Sequence, residues 1–286
     1  MSLFVAVGHN GQRVVSENGA HWKNLQIGKE GEVYRAVAFG TGVHVAVGNF
    51  GGANIFAATR DGASWQTSTK DGQYKFFLRG MTYGNDAFLG IGGDPGAVGS
   101  SAPFVVQSSD GATWTDYLPI SGKHILRRVA WGGGLFVGVG DRGRRSVSKD
   151  GKEWKDASST KAIDTLVDVT FGAGRFVGVG LHGLRSATED GVSWPHRFAG
   201  EEGEHINSVI WTGDRFVAVG QGATYFSPDG LDWTRKENKD APLTAAFGAG
   251  VFVGTNWKGR ILLSKDAIEW KDVYKAEHHL EAVCFG

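Results

Sequence analysis

Seven copies of one heptapeptide, a two-strand apolar unit ahead of each copy, and two chain ends that complement one another predict an all-β protein, a seven-bladed β-propeller of four-stranded antiparallel blades. The heptapeptide is Ser/Thr-x-Asp/Asn-Gly/Ala-x-x-Trp. Its copies end on Trp22, Trp65, Trp114, Trp154, Trp194, Trp233 and Trp270, which stand 37 to 49 residues apart. That period suits one propeller blade and is far from helical-solenoid composition. The blades are numbered here by these tryptophans, blade one carrying Trp22.

The inner strand of each blade is an apolar run ending in an aromatic residue and Gly, as in Arg128-Val129-Ala130-Trp131-Gly132 or Asp168-Val169-Thr170-Phe171-Gly172. A short loop leads to the second strand, Phe-Val-Ala/Gly-Val-Gly, as in Phe136-Val137-Gly138-Val139-Gly140. β-Branched and aromatic runs bounded by Gly read as strands joined by tight turns. Gly-x-Gly strings such as Gly172-Ala173-Gly174 recur with the blade, so they are hairpin turns and not phosphate cradles. The third strand enters the Asp motif and the fourth leaves its Trp. The chain stops on an inner-strand unit, Leu280 to Gly286, and starts on a second-strand unit, Leu3 to Gly8. Joined, these complete the ring, with a wrapped Trp270-to-Trp22 spacing of 38 residues. Such closure pairs both termini in one blade and removes an open sheet edge. One domain, 1–286, is expected.

Composition narrows the function classes. The 45 glycines and ten tryptophans of this 286-residue chain come with 41% hydrophobic residues, ample for a packed core. Most of the Gly excess and seven of the tryptophans belong to the repeat. Thirty basic and 30 acidic residues without Lys/Arg runs give no nucleic-acid or anionic-membrane footprint. Apolar runs are far short of the ~20 residues that cross a bilayer as a helix. A single cysteine, Cys284, excludes a disulfide framework, and it reads as packing in a small-residue slot. Nine histidines show no repeated metal-ligand spacing, so no metal or cofactor is expected. The start of the chain does not read as a signal peptide, and the compartment stays open.

Ser-x-Asp-Gly-x-x-Trp resembles the Asp-box, or bacterial neuraminidase repeat, of sialidases, sortilin-type receptors, some glycanases and lyases, and photosystem II assembly-factor propellers. The resemblance covers all seven blades. It implies that the motif sits in the hairpin between the third and fourth strands, on the face opposite the ligand site. A structural role fits its chemistry: Asp bonds amides of its own turn, Gly takes a conformation closed to side chains, and Trp packs between strands. Asn18 replaces Asp in blade one and Ala267 replaces Gly in blade seven, so looser turns are expected there. Sialidases resemble six-bladed rings with an Arg-Ile-Pro signature near the start; this chain has neither, and sialidase activity is not expected.

Ligands of such propellers usually meet the loops joining strands two and three, around the mouth of the central channel. Here those loops are His9-Asn10, Asn49-Phe50, an insertion from Gly92 to Pro103, Asp141-Arg142, Leu181-His182, Gln221 and Asn256-Trp257-Lys258. They differ from blade to blade, which favours one composite site over one pocket per blade. Counting back from the inner-strand aromatic, the positions one and three before it share a face by period two and should line the channel. They are mostly small, with Arg128 and Asp168 as exceptions on neighbouring blades that could pair. Four before the aromatic stand Arg35, Arg79 and Arg127 in three consecutive blades, against Val167, Asn207, Leu243 and Glu281 in the others. With Arg128 they would form a cationic arc over the mouth, although this position falls on the other face if the strand is regular to its start. Guanidinium groups suit carboxylate or sulfate. The expected ligand site is therefore Arg35, Arg79, Arg127, Arg128, Trp257 and Phe50. Two functions stay open: a non-catalytic, monomeric binding or scaffold propeller for a protein or glycan partner, or an enzyme acting on acidic polysaccharide. The second would use His182, Asp168 or Asp141, with His205 and Tyr34 as further candidates, since a lyase needs a base beside a bound carboxylate.

Overall fold

The computed structural model describes residues 2–72, 77–94, 102–158, 161, 163–200 and 203–286. Second strands such as Phe4–Gly8 and Phe216–Gly220 are buried at every position. Their unbroken apolar sequence follows from having protein on both faces, because each blade is sandwiched between two others. Outer strands, such as Thr234–Glu237, are fully exposed and polar.

The strands form seven four-stranded antiparallel sheets, each in the order inner, second, third, outer. The inner strands are Leu280–Phe285, Val33–Gly40, Leu78–Gly84, Leu126–Gly132, Leu166–Gly172, Ile206–Trp211 and Thr244–Gly248, from blade one to blade seven. Blade one is completed as the sequence predicts: Phe4–Gly8 pairs with Leu280–Phe285 in the register Phe4↔Phe285. Among the described residues no helix is long and apolar enough to cross a membrane.

The Asp motif forms the same turn in every blade. In blade three the Asp110 carboxylate accepts from the Ala112 and Thr113 amides at 2.8 Å, and Ser108 Oγ accepts from the Gly111 amide. These bonds hold the Asp110 carboxyl down at about 2. The looser turns expected at Asn18 and Ala267 are not found. Asn18 Oδ1 accepts from the Ala20 and His21 amides at 3.0 Å, and Ala267 adopts φ 61° with the same set of bonds. An amide oxygen has the lone pairs the turn needs, and an alanine can be held left-handed at a cost of about 1 kcal/mol.

At this end of the channel the inner-strand aromatic pairs with a ring at the first or second residue of the second strand in all seven blades. Ring centroids lie 4.3 to 4.9 Å apart, from Trp131 on Phe136 to Tyr83 on Phe88. Six of the second-strand partners are Phe; blade two has His44, packed on Phe39. The glycine after the aromatic has a steric cause. A Cβ on Gly132 would lie 2.0 Å from the Phe171 ring of the next blade, and one on Gly40 would lie 2.1 Å from Tyr83.

Candidate binding site at the channel mouth

The opposite end is shaped by a repeated irregularity. In blades one to six the pairing of inner and second strands slips at the position four before the aromatic, leaving Glu281, Arg35, Arg79, Arg127, Val167 and Asn207 without partners. This is a β-bulge, which re-aims the extra side chain. The inner strand is therefore not regular to its start, and the other-face placement that regularity implies does not hold. All of these residues, with Leu243 of blade seven, line one cavity of about 470 Å³ at the mouth, together with Arg128, Asp141 and Leu181.

A sequence signal for the bulge exists. In blades one to six a glycine near the end of the second strand lies beneath the bulged backbone: a Cβ on Gly48 would sit 1.8 Å from the Val33 carbonyl oxygen, and one on Gly140 2.1 Å from that of Ile125. Blade seven carries Asn256 in this slot, and its inner strand pairs with the second without a slip.

Within the mouth the three arginines are not equivalent. Arg127 is clamped by Asp141, through Nε to Oδ1 and through Nη2 to Oδ2 at 3.1 Å. Arg35 donates from Nε to Asn49 Oδ1 at 2.9 Å, and its Nη1 lies 3.7 Å from Glu281, which also accepts from His9 Nε2 at 2.8 Å. Arg79 stands between them. Its Nε is buried without a partner, and among the described residues its guanidinium has no hydrogen bond or ion pair. Burial, reinforced by the charges of Arg35 and Arg127 and partly offset by the carboxylates of Asp141 and Asp94, lowers its pKa to about 10, so it is charged at neutral pH.

Arg128 and Asp168 lie deeper, on the channel wall. They do not form the ion pair their placement invites. Arg128 Nη1 donates to the carbonyls of Arg79 at 2.7 Å and Arg127 at 3.1 Å. Asp168 accepts from the Val169 amide at 3.0 Å and from the Val209 amide of the next blade at 2.9 Å. Part of Asp168 faces the lumen, yet protein surrounds it and burial raises its carboxyl pKa, against a lowering by Arg128. Both residues stitch neighbouring inner strands together. Cys284 lines the same channel, where burial pushes its thiol up.

The other candidates stand apart from this cavity. His182 occupies a left-handed position, φ 58°, at an exposed turn beside His205, with ring centroids 5.5 Å apart. Trp257 is 63% exposed on the corresponding turn of blade seven and stacks on His279 at 4.9 Å. Phe50 packs under the Lys29 ammonium at 5.9 Å. Tyr34 is 2% exposed and accepts from Arg13 Nη1 within the core, remote from any solvent-borne ligand. His182, Asp168 and Asp141 are thus not brought together. Of the Gly92 to Pro103 insertion, residues 95–101 lie outside the described residues. What the sequence reading missed is the partner wall of the mouth: Val167, Leu181, Asn207, Leu243 and Glu281. Four of the five share the arginines' register, and for Val167, Asn207 and Glu281 the bulge glycine is the signal that would have turned them to the mouth.

No known family model matches the chain, and no curated protein matches it. Solved structures do. YCF48 bound to a D1 peptide matches with a TM-score of 0.65 at 18% identity, covering 91% of this chain and 86% of that one. Sqt1 of Saccharomyces cerevisiae matches with a TM-score of 0.65 at 11% identity, covering 98% and 84%. The WD40 β-propeller domain of Doa1 matches with a TM-score of 0.64 at 14% identity, covering 86% and 83%. At these identities the likeness shows the propeller fold, and the site must speak for function.

Proposed function

We propose that this chain is a non-catalytic binding or scaffold propeller of the Asp-box kind, a monomer of one domain, whose mouth holds a carboxylate-bearing segment of a protein partner. The observation that carries this reading is Arg79, a charged, half-buried guanidinium that among the described residues has no hydrogen-bond or ion-pair partner, between two arginines that have theirs. Desolvating a cation is costly without a counter-ion, and an incoming carboxylate supplies one. YCF48, in the structure above, holds a peptide on a similar fold. The rival reading, turnover of an acidic polysaccharide, needs a free base beside the arginines. Asp141 is committed to Arg127, Asp168 to two amides, and His182 stands on the rim.

The test is calorimetric titration with carboxylate-bearing peptides beside a uronic-acid substrate panel. Peptide binding that Arg79→Met removes, with no turnover, supports the proposal. Turnover on the panel that Arg79→Ala or His182→Ala abolishes would overturn it.

A further inference from the structure

The mouth is cationic on one side only. Going round the ring from blade two, the bulge-position side chains run Arg35, Arg79, Arg127, then Val167, Asn207, Leu243, and finally Glu281. Leu181, from the turn of blade five, adds a second aliphatic group beside Val167. Val167, Leu181 and Leu243 are each partly exposed to the cavity. One arc is therefore guanidinium, and the arc facing it is aliphatic with a single amide in its middle. An all-anionic ligand would leave the aliphatic arc against water or against its own polar groups.

Resting on the carboxylate-binding reading above, we propose that the group seated in the mouth is a free peptide C-terminus whose last residue is aliphatic. A C-terminal residue carries its carboxylate and its side chain on the same Cα, which is the juxtaposition this cavity presents. The carboxylate meets Arg79, the side chain lies against Val167, Leu181 and Leu243, and the Asn207 amide serves the last peptide group. Glu281 sets the limit of the cationic arc. Tied to His9 and lying 3.7 Å from Arg35, it already supplies one carboxylate there and repels a second. A run of acidic side chains is disfavoured for that reason, as is an internal Asp or Glu, whose carboxylate brings no apolar group to the opposite wall. A cavity of about 470 Å³ is also of small-ligand size, suited to a chain end and not to a strand passing through.

The experiment compares four N-acetylated peptides on the intact protein by calorimetry: Gly-Ser-Ala-Leu as free acid, the same peptide as C-terminal amide, Gly-Ser-Ala-Asp as free acid, and Gly-Glu-Ala-Leu as C-terminal amide. The expected result is binding of the Leu free acid, at least tenfold weaker binding of both amides, and severalfold weaker binding of the Asp free acid. Arg79→Met should bring the Leu free acid down to the level of its amide. Leu243→Asn should weaken the Leu free acid severalfold and leave the Asp free acid unchanged. Because the free-acid and amide comparison uses the unaltered protein, it does not depend on how the variants fold. Equal affinity of the Leu free acid and its amide overturns the inference. Tighter binding of the internal-Glu amide, lost in Arg79→Met, overturns the inference and leaves the carboxylate-binding function standing. No binding of any peptide overturns both.

Discussion

The two ends of the channel use opposite strategies. At the Asp-turn end, side chains repeat: every blade offers an aromatic pair and an Asp or Asn accepting the amides of its own turn, and the left-handed position of the motif is Gly in six copies and Ala267 in the seventh. At the mouth only the backbone repeats, as a bulge over a glycine, and the side chains it presents range from Arg79 to Val167 to Glu281. Identical side chains at one end pin the geometry, which frees the other end to vary. Stability should therefore concentrate at the turns and recognition at the mouth.

The largest effect is expected from Gly132→Ala. Its Cβ would lie 2.0 Å from the Phe171 ring, forcing two blades apart and costing about 3 kcal/mol or more in urea unfolding. An Ala there that cost nothing would break the contrast between the ends.

His44 sharpens it from within the turn end. Standing in a slot filled by Phe in six blades, it is 1% exposed, neither ring nitrogen meets a well-formed hydrogen bond among the described residues, and burial, only partly offset by the Leu3 backbone, lowers its pKa from 6.5 to about 4. Between those values the unfolded chain binds more protons than the folded one, so stability falls as pH drops from 6.5 to about 4. His44→Phe should remove that loss, worth about 2 to 3 kcal/mol near pH 4.5, in unfolding curves recorded across the range.

The mouth arginines should differ in sign. Arg127→Met strands Asp141 and costs about 1 kcal/mol, whereas Arg79→Met removes a half-buried charge with no ion-pair partner among the described residues and leaves stability unchanged or raised. Thermal melts of both variants check this, and equal losses would break the distinction between paired and open guanidinium. The smallest effect is Asp110→Asn, below about 0.5 kcal/mol, since Asn18 already holds the same turn in blade one.

The turn end was legible in the sequence because each of its interactions is local or repeats with the blade: the Trp spacing gave blade count and ring closure directly. The mouth was half legible. Arg35, Arg79 and Arg127 aligned by position, but period two put them on the wrong face, because a bulge is a backbone event whose only mark is a glycine on the neighbouring strand. Partner choice was not legible at all. Nothing in the residue types distinguishes Arg127, which Asp141 clamps, from Arg79, which is left open, and the Arg128 and Asp168 pair dissolves into bonds to the neighbouring backbones.

The pairing of Phe4–Gly8 with Leu280–Phe285 also sets the order in which this molecule can be assembled. During synthesis the strand Phe4–Gly8 emerges well before its partner and waits, one edge bare, until residues 272 to 281 positions later are made. The long loop this closes adds little to its entropy cost, which grows only logarithmically with length, but the contact is among the most distant in the chain and so among the slowest to be found. Blade one is consequently the seam of the ring, and its release would leave the other six blades as an open arc.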